Sequence, residues 1–500
     1  TYGMIFSYNN AVGSNAVVRE SATGKAWNWT GVFSTIPASV INAMRVIDAE
    51  NTSVQKLNAA PASGPTGYRR EVWETQSMGP AFGGGKYYFS YQSNCTVAQN
   101  GQPLNINVAA YDTATGQWTF GVASQTNCGN AHNLSAQIIR FPDNYPTVAY
   151  RGRLLQFFEA HSSVDAEACV ISTPYCIRYA ISTNPNDVTS WGSVQVMKDA
   201  DTNATINDIG LSALGGFDSN GLMHAIGQGV GSVDYTRMDT NIKFKQYRLI
   251  KGNLDSNVDS PGCAYGARLF SDNSIYLVWT GGGDCAGANT NLYFAKSTDA
   301  GNTWTNVAGA ASFTKEAGLG KIACAGNRCY SSSYLVREGG YVLNNMEVNR
   351  LSTGVPLIVE SPPDASYRPA IWNWSGEAWT MYSNPASSVY LASGGLAINV
   401  ISDNEIIVHV GHLDAIFEYV LSNGGQTWGA ELKIFQEPLG ANNTWILRDT
   451  LISSGERQRI LLNWGVRFGS NELDSATYHD VYFLDRIVGD ALERILPSIP

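Results

Sequence analysis

Two histidines stand at the outer ends of two strand-like segments, where imidazole groups could move protons. His132 lies in residues 130–134 (NAHNL), and His161 ends the run 152–161 (GRLLQFFEAH). We interpret these segments as consecutive antiparallel strands, the first starting after His132 and the second ending at His161. Because the start of one strand and the end of the next lie at the same edge of an antiparallel pair, we expect the two histidines to lie side by side.

The same edge of the other predicted strand pairs carries groups that bind sugars. We expect every first strand to start, and every second strand to end, at this edge, so that residues at those positions form a ring. Amide, phenol and guanidinium groups there can hydrogen-bond to sugar hydroxyls and carboxylates. The residues predicted for this ring are Gln76, Gln92, Gln228, Tyr265, Tyr367, Arg368, Arg448 and Arg467.

The three arginines of this ring have two interpretations. A guanidinium can hold a uronate carboxylate through two parallel hydrogen bonds. Salt bridges at the rim are the alternative, and Asp364 and Asp449 are the nearby acidic partners.

The overall charge limits the classes of partner. The chain has 32 Lys and Arg against 42 Asp and Glu, for a formal net charge of −10. This argues against general binding to nucleic acid or to an anionic membrane, but not against an acidic ligand held by local arginines. No apolar run approaches the roughly 20 residues of a membrane helix. We expect a monomer, and the predicted ring of donors for sugar hydroxyls and carboxylates favours an acidic polysaccharide or oligosaccharide as its partner.

The eight cysteines form four close pairs in the sequence. An even count with each pair around a turn or loop predicts four disulfides in an oxidising compartment, with buried free cysteines as the alternative. Since the chain opens at Thr1, we expect a removed leader and a secreted protein, extracellular or periplasmic. No CxxC pair supports zinc; no cofactor is expected, and a structural Ca²⁺ is left open. The pairs are Cys95/Cys128, Cys169/Cys176, Cys263/Cys285 and Cys324/Cys329.

A pattern of four short strands with a tryptophan near the fourth recurs along the chain. Repeats of about 40–50 residues with four strands are typical of propeller blades. We therefore predict an all-β fold, a single β-propeller domain over residues 1–500, with seven blades of four antiparallel strands or, alternatively, eight. We expect residues 1–28 to supply a strand that pairs with the C-terminal blade and closes the ring.

One turn has the pattern of an Asp-box, the S-x-D-x-G-x-T-W turn of sialidase-type blades. Residues 297–304 read STDAGNTW, and residues 422–428 repeat the pattern with Gly424 in place of the aspartate. The aspartate can cap the turn, glycine permits a positive φ, and the tryptophan packs between blades. We expect this turn to be structural.

Short motifs between residues 109 and 191 follow one another in a particular order. They are AAYD (109–112), GQW (116–118), AHN (131–133), FEAHS (158–162) and RYAIS (178–182). In order and spacing they resemble the propeller polysaccharide lyases with BNR-type repeats, that is, the ulvan lyases and the related rhamnose–glucuronate lyases. The resemblance is clearest over residues 109–191.

The resemblance implies β-elimination on a uronic acid. A base removes the C5 proton, the 4-O-glycosidic bond breaks, and a 4,5-unsaturated uronate remains. Such chemistry needs a positioned base and stabilisation of an enolate-like charge. By match to the family motif, His132 would be the catalytic base or acid, and His161 would bind substrate or act as its catalytic partner.

The sequence departs from the family at two positions. The family's tyrosine and arginine would fall near Asp208 and Gln228, and neither expected residue is present there. Tyr265 is the candidate catalytic phenol, and Arg368 is the candidate guanidinium. Tyr235 and Arg237, expected in a loop after Gln228, are the alternative pair.

Two other functions compete with the lyase. A sialidase-type hydrolase would need a Phe-Arg-Ile-Pro motif and a Tyr–Glu nucleophile pair, and we find neither. A non-catalytic carbohydrate-binding propeller would have several similar pockets, whereas the predicted rim differs from blade to blade.

Overall fold

The structure is a computed structural model of strands, turns and short 3-10 helices. No α-helix occurs within the ranges it describes, nor any helix with the length and apolar character of a membrane span. It describes residues 4–7, 17–20, 26–27, 52–56, 81–93, 103–127, 136–161, 175–206, 210–229, 232–251, 261–281, 291–320, 322–323, 328–329, 332–339, 346–360, 369–383, 396–412, 415–436, 443–450, 457–466 and 478–487.

The first strands of the chain form a small sheet and contribute one strand to the last large sheet. The small sheet has the order β1-β2-β3. The strands are β1 (Met4–Ser7), β2 (Val17–Glu20), β3 (Ala26–Trp27) and β4 (Thr52–Lys56).

Sheets 1, 2 and 3 each have four antiparallel strands in sequence order. Sheet 1 contains β5 (Ala81–Gly83), β6 (Lys86–Ser93), β7 (Pro103–Asp112) and β8 (Trp118–Asn127). Sheet 2 contains β9 (Ala136–Arg140), β10 (Leu154–His161), β11 (Tyr175–Ile181) and β12 (Gln195–Val196), with a 3-10 turn at Val148–Tyr150. Sheet 3 contains β13 (Gly210–Phe217), β14 (Met223–Gly229), β15 (Ser232–Met238) and β16 (Phe244–Lys251).

Sheet 4 is larger because a sixth strand, β24, pairs with its third strand. It contains β17 (Pro261–Leu269), β18 (Ile275–Gly281), β19 (Asn291–Ser297), β20 (Thr303–Thr305), β21 (Ser312–Thr314) and β24 (Leu335–Arg337). Between β21 and β24 lie the hairpin of β22 (Ile322–Ala323) and β23 (Arg328–Cys329) and a 3-10 turn at Ser332–Tyr334.

Sheets 5, 6 and 7 complete the series. Sheet 5 contains β25 (Met346–Arg350), β26 (Pro356–Glu360), β27 (Ala370–Trp374) and β28 (Trp379–Ser383). Sheet 6 contains β29 (Leu396–Ser402), β30 (Glu405–His412), β31 (Ala415–Ser422), β32 (Thr427–Trp428) and β33 (Leu432–Gln436), with a 3-10 turn at Asn423–Gly425. Sheet 7 contains β34 (Asn443–Thr450), β35 (Arg457–Val466), β36 (Tyr478–Ile487) and β4.

Hydrophobic clusters lie between consecutive sheets, because strand residues alternate between the two faces of a sheet. In β10, Leu154 packs toward sheet 1 and Leu155 toward sheet 3. Both faces of the strand are therefore buried, which explains its nearly continuous apolar sequence. Similar clusters join sheets 3 and 4, sheets 4 and 5, and sheets 5 and 6.

The innermost strands show that these sheets follow one another as the blades of a propeller do. The first strand of each sheet contacts the first strand of the next, from β5 through β9, β13, β17, β25 and β29 to β34. Near the axis, Arg268 of sheet 4 donates Nη1 to the carbonyl oxygen of Ile398 in sheet 6 at 3.0 Å. Asn349 of sheet 5 donates to the same oxygen at 3.0 Å. The predicted all-β propeller is confirmed, and the number of blades stays a prediction.

The N-terminal strand of the last sheet differs from the expected one. Within residues 1–28, the described strands β1, β2 and β3 pair with one another. The strand that pairs with β36 is β4, with Lys56 opposite Tyr482 and Thr52 opposite Arg486. Strand β4, which follows residues 1–28 in the sequence, thus completes the C-terminal sheet. The single domain over residues 1–500 stays a prediction.

The turn at residues 297–304 shows why its sequence pattern suits a propeller. Asp299 Oδ1 accepts from Ser297 Oγ at 2.8 Å and from the Thr303 backbone N–H at 2.8 Å. Trp304, which is buried, donates Nε1 to the Gly301 carbonyl oxygen at 3.1 Å. The related turn in sheet 6 has Gly424 at a φ of 65°, and Trp428 donates to the Tyr382 carbonyl of sheet 5 at 3.1 Å. These contacts give both turns a structural role.

Gly301 offers a direct test of packing at the first of these turns. Its φ is +79°, and a Cβ there would lie 2.2 Å from Tyr235 Oη. Gly309 is the matched control, because its φ is +75° and nothing lies within 4 Å of its Cβ position. We expect Gly309→Ala to cost about 1–2 kcal/mol from the left-handed backbone alone, and Gly301→Ala about 1–3 kcal/mol more from overpacking. Equal shifts of the two denaturation midpoints would contradict the packing argument.

Candidate functional site

Each sheet has two edges, and strand direction separates them. We call the edge where the first strand begins and the second strand ends the mouth edge. The opposite edge, which carries the turn at residues 297–304, is the turn edge. The third strand begins at the mouth edge because neighbouring strands are antiparallel.

His161 lies at the mouth edge of sheet 2. It is the last residue of β10 and is opposite Tyr175, the first residue of β11. β9 begins at the same edge, where Ala136 is opposite Phe158. His132 precedes Ala136 by four positions in the sequence and lies outside the described residues.

The described strands include four other predicted site residues, whose side chains lie outside the described part: Gln92, Gln228, Tyr265 and Arg448. Gln92 is the next-to-last residue of β6, and Gln228 is the next-to-last residue of β14. Tyr265 lies further into its sheet, opposite Trp279 and past a register shift from Pro261. The backbone therefore brings Gln92 and Gln228 to the mouth edge and Tyr265 below it.

Arg448 is placed differently from the sequence-based expectation. It is the third residue from the end of β34, beside a register shift between Leu447 and Asp449. A strand start was expected there, whereas the observed strand starts at Asn443. Arg448 is thus nearer to the turn edge than to the mouth edge.

The remaining predicted residues lie outside the described residues, although their neighbours in sequence are informative. Arg467 directly follows Val466, the last residue of β35, and Arg368 comes two positions before Ala370, the first residue of β27. Val466 and Ala370 both lie at the mouth edge. The predicted residues outside the description are His132, Gln76, Tyr367, Arg368, Arg467, Cys95, Cys128, Cys169, Cys285 and Cys324. For Cys176, Cys263 and Cys329 only the strand is described, so the four disulfides stay a prediction.

The alternative pair Tyr235 and Arg237 is wrong as a mouth site. Both belong to strand β15 and not to a loop. Tyr235 is fully buried, with its hydroxyl 2.6 Å from His224 Nδ1, and burial raises its pKa. Arg237 donates Nη1 to Asn302 Oδ1 in the turn at residues 297–304, at 2.8 Å. These contacts place both side chains toward the turn edge.

His224 is a buried histidine at the turn edge of sheet 3. Burial lowers the pKa of its imidazole, and Asp218 opposes that shift. Its Nε2 lies 3.2 Å from Asp218 Oδ2, which is an ion-pair distance, but the two atoms are not aligned as a hydrogen bond. With no exposed surface, His224 has a packing role.

A buried ion pair lies at the mouth edge between sheets 4 and 5. Glu360, the last residue of β26, accepts from Arg337 Nε at 2.7 Å and from Arg337 Nη2 at 2.8 Å. Trp372 of β27 donates Nε1 to the same carboxylate at 2.5 Å. Sequence analysis missed this pair, because Arg337 lies on an appended strand of a different sheet.

A second buried pair lies in sheet 6. His409 and Glu418 face each other across β30 and β31, with Nε2 2.7 Å from Oε2. Both side chains are at most 2% exposed. Neither side chain belongs to the hydrophobic cluster between sheets 5 and 6. The pair therefore lies on the other face of sheet 6.

Sheets 4 and 5 are also joined at the turn edge, by an exposed ion pair. Arg350 donates Nη1 to Asp272 Oδ2 at 2.8 Å, and its guanidinium stacks on Phe270 at 4.1 Å. The hydrogen bond from Arg350 lowers the pKa of Asp272 from 3.8 to about 2, and Ser274 adds to the effect.

This pair predicts a specific pH dependence of stability. Because the folded pKa of Asp272 is lower than the unfolded one, the pair stabilises the fold above about pH 4 and loses its contribution as the pH falls toward about 2. Asp272 is half exposed, with 55% of its side chain accessible, so we expect Asp272→Asn to cost less than about 1 kcal/mol. The difference in urea midpoint between wild type and Asp272→Asn should be present at about pH 5 and disappear near about pH 2. A difference that does not change with pH would contradict the assignment.

Comparison with known proteins gives similarity in structure without similarity in sequence. Neither a protein-family model nor a curated protein sequence matches the chain. An ulvan lyase of polysaccharide lyase family PL25 matches it with a TM-score of 0.59, at 12% identity over 83% of this chain and 93% of that one. The complex of an ulvan lyase of that family with -[GlcA(1-4)Rha3S]- matches with a TM-score of 0.58, at the same identity and coverage. The polysaccharide lyase Uly1 matches with a TM-score of 0.50, at 9% identity over 86% of this chain and 94% of that one.

At these identities the similarity concerns the fold. It agrees with the series of antiparallel sheets described above. The chain therefore has the β-propeller architecture that these polysaccharide lyases share.

Proposed function

We propose that this protein is a polysaccharide lyase that cleaves a uronic-acid polysaccharide by β-elimination. The observation that carries the proposal is the strand geometry of sheet 2. His161 ends β10 at the edge where β9 begins, and the four residue steps from His132 to Ala136 span at most about 14 Å. Two imidazoles at one mouth edge could serve a single proton-transfer site. The ulvan lyase complex, whose bound ligand contains glucuronate, supports the same class of substrate.

The proposed reaction uses this chain's side chains in separate roles. His132 takes the proton from C5 of the uronate, and the electron pair of the C5–H bond forms the C4=C5 double bond. The bond from C4 to the glycosidic oxygen breaks, and that oxygen takes a proton from Tyr265. His161 binds the substrate or assists His132. A positioned acid or base of this kind contributes about 100- to 10,000-fold in rate.

Charge stabilisation at the carboxylate is the second requirement. Removing the C5 proton spreads negative charge onto the carboxylate, so a guanidinium there lowers the barrier. Arg368 and Arg467 are the proposed partners, because each adjoins a strand end at the mouth edge. Arg448 is less suitable, since its strand position is nearer to the turn edge. Gln76, Gln92, Gln228 and Tyr367 are proposed to bind sugar hydroxyls.

The proposal includes the setting in which the enzyme works. We propose a secreted monomer with four disulfides that acts outside the cytoplasm on an acidic polysaccharide. Base, acid and charge stabilisation all come from side chains, so the reaction requires no cofactor. A structural Ca²⁺ would be compatible with it.

The test is a panel of uronate polysaccharides incubated with the wild-type protein. A lyase forms a double bond conjugated with the carboxylate, so we expect ultraviolet absorbance and reducing ends to rise together. Reducing ends without absorbance would replace the lyase with a sialidase-like hydrolase. Binding without either product would favour a carbohydrate-binding propeller.

A further inference from the structure

Lys296 is a cationic side chain without an acidic partner, at the turn edge between sheets 4 and 5. It is the next-to-last residue of β19 and lies two residues beyond Phe294, which packs in the cluster that joins these two sheets. Because residues i and i+2 of a strand share one face, Lys296 also faces sheet 5. Burial lowers the pKa of its amine, and no acid in the described part of the chain offsets this shift.

Two tryptophans of sheet 5 lie at the same edge, on the face toward Lys296. Trp374 ends β27, Trp379 begins β28, and the two are cross-strand neighbours. Their ring centroids are 5.5 Å apart, and the centroid of Trp379 is also 5.5 Å from that of Phe294. Since Lys296 lies beyond Phe294 toward the turn edge and on the same face, the amine and the two indoles lie around one opening between the sheets.

The packing of the blades does not use these two indoles fully. Trp304 of sheet 4 is 0% exposed, whereas Trp374 and Trp379 are both partly exposed. Trp374 also lies outside the hydrophobic cluster between the sheets. Trp372 donates its indole N–H to Glu360, but neither Trp374 nor Trp379 donates a hydrogen bond to any residue that the structure describes. Two aromatic rings and two indole donors thus remain available to a ligand.

The other charged groups at this edge do not neutralise the amine. Arg350 and Asp272 pair with each other, and the guanidinium of Arg350 stacks on Phe270. Glu377 is exposed in the turn between β27 and β28, and it forms no ion pair with the residues described. The opening therefore combines one unpaired cation with the two indoles of Trp374 and Trp379.

An acidic sugar residue has the groups that this opening can bind. Its C–H groups can pack on the electron-rich face of an indole. Its hydroxyl oxygens can accept from the indole N–H groups, and its carboxylate can pair with the ammonium group of Lys296. A simple anion would use the amine and leave both indoles unused.

We propose that Lys296, Trp374 and Trp379 form a second carbohydrate-binding site, which holds an anionic sugar residue of an acidic polysaccharide. The site lies at the turn edge, and the proposed proton-transfer site lies at the mouth edge. A chain long enough to reach both edges is held at two places, which raises its effective concentration at each of them. Binding at the turn edge requires no catalysis, so it does not depend on the proposed lyase reaction.

The test is calorimetry with a disaccharide that has glucuronate at its non-reducing end, where there is no 4-O-glycosidic bond to eliminate. The carboxyl-reduced disaccharide is the neutral probe, and acetate is the carboxylate without a sugar. Lys296→Met removes the charge and keeps an unbranched stem, whereas Lys296→Arg keeps the charge. Trp374→Ala removes the indole that lies outside the cluster between the sheets. Glu377→Gln is the control, because it changes the charge at the same edge in the opposite direction.

We expect Lys296→Met to weaken binding of the acidic disaccharide at this site by about tenfold or more, with little change for the neutral form. Since the mouth edge is also proposed to bind uronates, Lys296→Met should bind one disaccharide fewer per protein than wild type at the same ligand concentration. Trp374→Ala should weaken both disaccharides. Lys296→Arg and Glu377→Gln should bind as wild type does, and all four variants should keep the wild-type urea midpoint.

Two results would overturn the site. One is wild-type affinity and stoichiometry in both Lys296→Met and Trp374→Ala, and the other is acetate that binds as tightly as the acidic disaccharide. A wild type that cleaves no uronate polysaccharide but loses disaccharide binding on Lys296→Met would instead overturn the proposed function and keep this site.

Discussion

Replacing His132 with alanine is expected to lower kcat/KM on a uronate polysaccharide by about 100- to 10,000-fold. The C5 proton is weakly acidic, so its removal depends on a base held close to it. In the proposed mechanism the substrate still binds through the proposed arginines and glutamines, so most of the loss should appear in kcat. Ultraviolet absorbance of the unsaturated product measures the rate, and calorimetry measures binding.

His161 provides the control for this prediction. If His132 and His161 act in one proton-transfer unit, the double variant should be about as slow as the slower single variant, because residues of one unit are not additive. If the rate loss of the double variant equals the product of the losses of the two single variants, the two histidines have independent roles. An undiminished rate in His132→Ala would remove His132 from the reaction and leave the fold assignment intact.

Arg337→Met should be strongly destabilising. It leaves the carboxylate of Glu360, which is 0% exposed, without its guanidinium partner. Breaking a buried pair from one side costs about 3–5 kcal/mol. Denaturant unfolding should therefore show a much lower free energy of unfolding for Arg337→Met than for wild type. Asp272→Asn, which removes the exposed pair, should lower the free energy of unfolding by less than about 1 kcal/mol.

The double variant Arg337→Met/Glu360→Gln distinguishes an unpaired charge from lost packing. It removes both charges and keeps an amide oxygen for Trp372 Nε1. We expect it to regain at least half of the stability that Arg337→Met loses, since the buried unpaired charge is gone. A double variant no more stable than Arg337→Met would mean that packing of the arginine stem accounts for the loss.

The sheet 2 strands could be predicted from the sequence because their pattern is local. The strand expected to start after His132 and the strand expected to end at His161 appear as β9 and β10, and the register of the pair puts His161 at the expected edge. The two-sided burial of β10 is visible in its nearly continuous apolar run, which marks the strand in the sequence.

The rest of the site depends on features that a strand pattern does not contain. The register shift beside Arg448 moves that residue relative to the edge, and the sequence around it gives no sign of a bulge. The partner of Glu360 comes from β24, a strand added to a neighbouring sheet, so only the packing of two sheets identifies it. Tyr235 was expected in a loop after Gln228, but it belongs to strand β15 and is buried against His224.

The pairing of β4 with β36 has a consequence for biosynthesis. These strands lie near opposite ends of the chain, so their contact has a very high sequence separation and a large loop-closure cost. During translation, the first sheets can assemble as soon as their own strands emerge, whereas β4 must wait for β36. Until then β4 presents an unpaired edge that can join a strand of another molecule. Completion of the ring is thus a late step, and the interval before it is when nascent chains are most exposed to mispairing.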